Sequence, residues 1–157
     1  MNKIRKAQKK DIEKILKLLV QVNMVHHGIR PDIFKGPATK YSAEDLGKII
    51  KNENTPVFVS VNESDETEGY AFCIIKEVQG DILLEDYKTV YIDDLCVDES
   101  KRGKHIGSAL YEYVKNFAFD IGAQSITLNV WSGNNSAQRF YEKLGMSVQR
   151  RIMEEKL

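Results

Sequence analysis

The run Val90-Tyr91-Ile92-Asp93-Asp94-Leu95-Cys96-Val97, with Asp98-Glu99-Ser100-Lys101-Arg102-Gly103-Lys104-His105-Ile106-Gly107 and then Ser108-Ala109-Leu110-Tyr111-Glu112-Tyr113-Val114 behind it, decides how this chain is read. β-Branched and aromatic residues make the first run a strand, and the polar, glycine-bearing stretch after it is a loop. From about Gly107 to Gly122, Ala109, Leu110, Tyr113, Val114, Phe117 and Ala118 recur at helical spacing. A strand, a loop and a helix start in immediate succession form an anion site, because first-turn N–H groups and the helix dipole face whatever lies there. Gly103 and Gly107 admit a ligand close to the backbone, and Arg102 and Lys104 add charge suited to a pyrophosphate or a phosphorylated sugar. On glycine spacing alone, a solvated basic loop ahead of a capped helix fits equally well. A Walker A loop is absent, since Gly107 is followed by Ser108 and Ala109, and so is a Rossmann G-x-G-x-x-G.

Outward from this segment, strands and helices alternate. After a short apolar start at Ile4, Asp11 can cap a helix whose Ile12, Ile15, Leu16, Leu19 and Val22 share one face. Val25 to Lys40 holds two Gly and two Pro and reads as a loop, and Ser42 with Asp45 three residues on opens a second helix. Residues 57–61 and 70–75 are β-rich runs around the polar turn from Asn62 to Gly69, an antiparallel hairpin, and residues 82–84 extend a strand or pad the next loop. Beyond the central helix come a strand from Ser125 to Val130, a loop from Trp131 to Asn135 and a helix from Ser136 to Leu144 stopped by Gly145. A strand-like tail follows, which could complete its own sheet or pair with a second chain's edge. The fold class is α/β (α+β by some schemes), with a mixed sheet.

The length of 157 residues suits a single domain over 1–157, and 42% hydrophobic with 29% charged residues suits a packed core. Lys plus Arg balance Asp plus Glu, which argues against a nucleic-acid partner. The balance hides two opposed parts: from Glu63 to Glu99 twelve acidic residues face only Lys76 and Lys88. That stretch either steers a cationic ligand or consists of solvated hairpin turns. No apolar run is long enough for a membrane span, and no signal-peptide core follows the basic first ten residues, so a cytoplasmic location is expected. Cys73 and Cys96 are far apart and flanked by apolar residues, the pattern of two reduced thiols rather than a disulfide or metal site.

Arg102-Gly103-Lys104-His105-Ile106-Gly107 resembles the acetyl-CoA loop R/Q-x-x-G-x-G/A of the GCN5-related N-acetyltransferase (GNAT) family, with His105 where the family usually has its central glycine. Asn134-Asn135-Ser136-Ala137-Gln138-Arg139-Phe140-Tyr141-Glu142-Lys143-Leu144-Gly145-Met146 resembles the family's second signature, N-x-x-A-x-x-h-Y-x-K-x-G-h, at every marked position. The order of elements is similar too, so the resemblance covers nearly the whole chain and implies a mostly antiparallel central sheet with helices on both faces.

It also implies acetyl-CoA as co-substrate without a metal, held by Arg102, Gly103, Lys104, His105, Ile106, Gly107 and Ser108, by backbone groups of Leu95, Cys96 and Val97, and by Asn134 and Ala137. Tyr141 takes the role of general acid toward the departing thiolate; by periodicity alone it is also a core aromatic beside Ala137, Phe140 and Leu144. Asp93-Asp94-Leu95-Cys96-Val97 looks like the E-D-h-x-V stretch of polyamine-type members, which implies that an aspartate holds or deprotonates the amine. Neighbours on a strand point to opposite faces, so one of the two is expected to act and the other to be structural. His26, His27 and Arg30 lie where the family often builds its acceptor wall.

The expectation is an N-acetyltransferase acting by direct transfer on a small cationic amine such as a polyamine. A protein or peptide acetyltransferase and a non-catalytic acyl-CoA-binding module are the alternatives, and the chain is expected to be a monomer or homodimer. An acetyl-cysteine route through Cys96 lacks a visible base.

Overall fold

In the computed structural model, which describes residues 2–157, the hairpin run decides the centre of the molecule. Val57–Val61 (β2) is buried at every residue and pairs antiparallel with Thr67–Val78 (β3), while Lys3–Lys6 (β1) lies on its other side. Tyr87–Val97 (β4) continues antiparallel from β3, and Ser125–Leu128 (β5) joins β4 in parallel, giving the order β1-β2-β3-β4-β5. The sheet is thus mixed and mostly antiparallel, as expected.

Strand alternation sends Val57, Val59, Val61, Tyr70 and Phe72 to one face, where Ile12–Ile29 (α1) and Ala43–Lys51 (α2) bury Ile15, Leu18, Leu19 and Leu46 against them. Phe58, Ala71, Cys73, Val90 and Ile92 point to the other face and meet Leu110, Tyr111, Val114 and Ala118 of Ile106–Asp120 (α3). Each fully buried Leu or Val contributes about 1.5–3 kcal/mol of transfer free energy, so both faces are closed chiefly by α1 and α3. The last helix, Asn135–Lys143 (α4), adds Tyr141 to the α3 side.

Polar residues fix the joints. Ser42 Oγ accepts from the Asp45 N–H at 3.1 Å, the cap expected for α2. Asp11 acts one step earlier than expected: its buried carboxylate accepts from the Gln8 N–H at 2.7 Å in a 3-10 turn, Lys9–Asp11, and from Arg5 and Thr67. It clamps β1, α1 and β3 together instead of capping α1.

Three expectations are corrected. α1 runs to Ile29, so His26 and His27 are helical and not in a loop; the helix stops at Arg30, where Pro31 disfavours a helical conformation for the residue before it. β3 and β4 are longer than the apolar runs, because their polar ends, Lys76–Val78 and Tyr87–Thr89, still pair, and residues 82–84 pad the loop between them. The tail forms no strand: residues 146–157 pair with nothing in the sheet.

Two irregularities shape the site. β3 and β4 pair Phe72 with Asp94 but Cys73 with Ile92, so Asp93 is the extra residue of a β-bulge. β4 and β5 pair only from Thr89↔Ser125 to Ile92↔Leu128, so the β5-facing edge of β4 has no strand partner from Asp93 onward.

Candidate active site

The bulge overturns the expectation that Asp93 and Asp94 face opposite ways. Val90 and Ile92 lie on the α3 face, and so do Leu95 and Val97, so the alternation slips by one residue between them. Both aspartates consequently sit on the face covered by α1 and α2. Asp93 accepts from Lys40 Nζ at 2.6 Å and from the Tyr41 hydroxyl at 3.1 Å, both from the segment between those helices. Asp94 accepts from the Tyr70 hydroxyl at 2.8 Å.

Their electrostatics differ. Burial raises the Asp94 carboxyl to about 6 against the opposing pull of the Tyr70 hydrogen bond, with the Asp93 charge adding a smaller push upward. Burial and the adjacent Asp94 charge hold the Tyr70 phenol well above the usual tyrosine value, so it remains a donor. Burial pulls the Lys40 ammonium down, but the Asp93 carboxylate outweighs it and the net shift is upward. The ammonium also lies 5.5 Å from the Tyr41 ring centroid.

Tyr141 approaches from α4. Asn134 caps that helix, its Oδ1 accepting from the Ala137 N–H at 3.3 Å, so two residues expected at the ligand also hold the tyrosine in place. The Tyr141 ring packs against Phe140 at 5.0 Å and Tyr111 at 6.3 Å between centroids. Among the described residues its hydroxyl has no hydrogen-bond partner. Burial first, and the charge of Asp94 next, raise its pKa well above the ordinary phenol value, so it stays protonated at any physiological pH. Cys96 is buried on β4 with its thiol pushed up to about 12 by burial, and its Sγ lies 3.7 Å from the Leu18 carbonyl oxygen. A thiol so held is protonated and not a nucleophile.

The loop between β4 and α3 supplies the anion-binding geometry. Glu99–Lys101 forms a 3-10 turn, Arg102 is extended, and Gly103 takes φ 79°. His105 is the N-cap of α3 in the left-handed conformation, φ 58° and ψ 17°. That conformation explains why glycine suits this position, and the histidine turns the chain as a glycine would, at a cost of about 1–2 kcal/mol. The first helical hydrogen bond here is from the Ala109 N–H to the His105 carbonyl at 3.0 Å. The N–H groups of Gly103 to Ser108 have no protein partner among the described residues. Arg102, Lys104 and His105 are exposed beside them. Gly107 lets α3 and α4 approach: a Cβ there would lie 3.2 Å from Phe140 Cζ. On β4, the Asp98 N–H donates to the Glu68 carbonyl at 2.8 Å, so by alternation Cys96 turns its backbone groups to β3 while Leu95 and Val97 turn theirs to the open edge, where the Val97 carbonyl is already engaged by Gln21 Nε2 at 3.0 Å.

Several residues at this end of the sheet were not singled out from the sequence. Phe34 packs edge-on to Trp131 at 5.5 Å and near His26 at 5.0 Å, and its carbonyl lies 2.7 Å from His27 Nδ1. Arg30 lies over Trp131 at 5.8 Å. Burial, with the Lys40 charge second, lowers the His26 pKa and leaves it neutral near pH 7. Tyr41, Phe34 and Trp131 are aromatics in glycine- and proline-bearing loops, which was the available signal; Tyr70 and Gln21 carried none. Surface furrows of about 600 Å³ beside Lys9 and Glu44 and about 430 Å³ beside Lys14 and Asp98 share none of these groups.

Bulged carboxylates, an opened strand pair and a helix N-terminus at one sheet end are what an acyl-CoA-dependent N-acetyltransferase uses, and the comparisons agree. A model of the acetyltransferase (GNAT) family matches residues 6–146, and the chain belongs to that family. The BH1408 protein from Bacillus halodurans, solved as a mutant, is 32% identical, with 99% of each chain covered and a TM-score of 0.94. More distant structures share the fold: glucosamine-6-phosphate N-acetyltransferase from Arabidopsis thaliana (22% identity, 99% of this chain and 98% of that one, TM-score 0.72) and an aminoglycoside acetyltransferase from an uncultured soil metagenomic sample (18%, 99% and 95%, TM-score 0.71). Among curated proteins none matches. No helix among the described residues is long and apolar enough to cross a membrane.

Proposed function

We propose that the protein transfers the acetyl group of acetyl-CoA directly to the primary amine of a small cationic acceptor, with Asp94 as base and Tyr141 as acid. The observation that carries this reading is the pairing of a buried carboxylate of raised pKa with a protonated phenol whose own pKa responds to it. An amine of pKa about 10 arrives protonated and must lose a proton before it attacks. Asp94, ionised above about pH 6, accepts that proton directly or through one water. The neutral nitrogen attacks the thioester carbon, the C–S bond breaks as the thiolate takes the Tyr141 proton, and the second proton leaving the nitrogen restores the Tyr141 phenol, so that the neutral amide and free CoA thiol remain and Asp94 returns its proton to solvent.

The CoA phosphates lie against the N–H groups of residues 103–108, with Arg102 and Lys104 as counter-charges, and the pantetheine arm runs along the open edge of β4 beside the backbone of Leu95 and the Val97 N–H, where β5 has left β4. Asn134 and Ala137 serve by fixing α4. Asp93, held by Lys40 and Tyr41, presents a carboxylate that an incoming ammonium competes for, and the aromatics Phe34, Tyr41 and Trp131 offer faces to the same cation.

Thermal unfolding with acetyl-CoA, CoA, ATP and NAD in parallel tests the nucleotide half. A ligand at 100 times its dissociation constant adds about 2.7 kcal/mol, and only the CoA compounds are expected to shift the midpoint. Release of free CoA thiol with polyamines, amino sugars and lysine peptides then tests the acceptor half; turnover with peptides alone would replace the small amine by a protein acceptor. Binding without turnover on any amine would leave an acyl-CoA-binding module.

His105→Gly tests the loop. Removing the left-handed strain, offset by roughly 0.5–1 kcal/mol of unfolded-state entropy, should raise stability by up to about 1 kcal/mol in urea unfolding. Acetyl-CoA affinity by calorimetry should be unchanged, since the N–H groups keep their positions; a loss would show that the imidazole itself touches the ligand.

A further inference from the structure

We propose that Lys40 is an internal acceptor: with no external amine in the site, the protein moves the acetyl group of bound acetyl-CoA onto its own Lys40 Nζ, and the loss of that charge frees Asp93 for a cationic acceptor. This rests on the transfer chemistry proposed above and adds a modification site to it. The first observation is where the ammonium stands. Lys40 belongs to the segment between α1 and α2, yet its Nζ donates to Asp93 Oδ2 at 2.6 Å, on the bulge that carries Asp94 one residue on. Its charge acts on Asp94, His26 and Tyr91 as well as on its partner. A primary ammonium on a flexible four-carbon stem thus fills the place at which the acceptor's ammonium is expected.

The second observation is that the chain around Lys40 is anchored while its side chain is free to move. The Tyr41 ring stacks on Phe72 at 5.7 Å, and its hydroxyl donates to the same Asp93 oxygen at 3.1 Å, so this neighbour holds the backbone of Lys40 against the sheet. The Lys40 side chain is 47% exposed, and Asp93 is its one ion-pair partner among the described residues. An ion pair that open to solvent shifts a population by no more than about fivefold, so the amine leaves Asp93 readily. Leu95, whose backbone borders the open edge of β4, follows Asp93 by two residues, about 7 Å along a strand. An amine tethered at that range has an effective concentration on the order of millimolar, which a dilute external amine does not match.

The step balances as it does for a free amine. The Lys40 ammonium gives one proton to Asp94, and the neutral Nζ attacks the thioester carbon. The C–S bond breaks as the thiolate takes the Tyr141 proton, and the second proton leaving the nitrogen restores the phenol. An Nζ-acetyl amide and free CoA thiol remain. The amide carries no charge to set against Asp93, which is left to the ammonium of an incoming acceptor.

Peptide mass spectrometry on the purified protein, incubated with acetyl-CoA alone, should find an acetyl group on Lys40 before any on Lys17 or Lys48, whose side chains are more exposed at 68% and 72% and record uncatalysed acetylation. At saturating acetyl-CoA the rate per molecule should not change on dilution of the protein, because the transfer is within one chain. Lys40→Arg keeps an ion pair with Asp93, so the variant should fold as before with the label gone. Lys40→Gln carries a neutral amide, as the product does, and should lower KM for a polyamine by about two- to fivefold; wild type preincubated with acetyl-CoA should match it. Labelling of Lys40 no faster than of Lys17 and Lys48, or a rate that falls with dilution, would overturn the internal acceptor, and thiol release with an external amine in the same preparation would leave the proposed function standing. An unchanged KM in Lys40→Gln would overturn the release of Asp93. No thiol release with any amine and no label on Lys40 would overturn both readings.

Discussion

Asp94→Asn is expected to lower kcat/KM at pH 8 by about 10²–10⁴-fold while making the protein more stable, a pairing of outcomes that a merely structural aspartate would not give. The rate loss follows from removing the proton acceptor. The stability gain follows from the raised pKa: the carboxyl titrates near 6 in the folded chain and near 3.9 unfolded, so its contribution to stability is fully present below about pH 4 and is lost as pH rises through 6. At pH 8 the native state carries a buried charge at a cost on the order of 2–3 kcal/mol, which a neutral amide of the same shape does not incur. Asparagine can still accept from the Tyr70 hydroxyl. Urea unfolding at pH 8 and pH 4 should show the gain at the first and not at the second. The wild-type kcat/KM should fall about tenfold per pH unit below 6. Wild-type turnover in the variant at pH 8 would remove Asp94 from the mechanism.

Most of the architecture was legible because it rests on local periodicity. The hairpin of β2 and β3, the helical stripe of α3 and the glycine stop after α4 were all visible as patterns of apolar residues and turn formers. The limits fall where tertiary context overrides local sequence. Val25 to Ile29 continues α1 although two histidines and a glycine look like loop, because a helix already packed through Leu18 and Leu19 extends cheaply until Pro31. The polar ends of β3 and β4 pair because the hairpin's interior sets their register.

The candidate site was legible residue by residue but not in its geometry. Strand alternation placed Asp93 and Asp94 apart, and nothing in Tyr91-Ile92-Asp93-Asp94-Leu95 announces the bulge that brings them to one face. Lys40 and Tyr41 reach Asp93 across fifty-odd residues, a contact that no local pattern encodes. The histidine in place of the usual glycine pointed to a tighter or shifted turn at position 105, whereas His105 itself takes the left-handed conformation.

Tyr141→Phe should reduce kcat by about 10²–10³-fold with acetyl-CoA affinity unchanged, because only the phenolic proton is removed. The ring contacts with Phe140 and Tyr111 survive, as does the cap at Asn134 that orients the helix. Stability should be unchanged or slightly higher, since the hydroxyl gives up no hydrogen bond within the protein. An aromatic that served only packing would leave turnover intact on the same substitution, so kcat alone separates the two roles. The pH profile adds a second distinction. A phenol kept protonated by burial and by the Asp94 charge gives no fall in rate through pH 9, so the wild-type profile should rise through about 6 and then stay level. In the phenylalanine variant the acidic limb belonging to Asp94 should remain where it was, near 6, shifted slightly at most by losing a polar neighbour. Retention of that limb at a hundredfold lower plateau would assign the proton acceptor and the proton donor to two separate groups. Loss of acetyl-CoA binding in the same variant would instead place the hydroxyl among the groups that hold the thioester, and the donor would have to be sought elsewhere along the gap between β4 and β5.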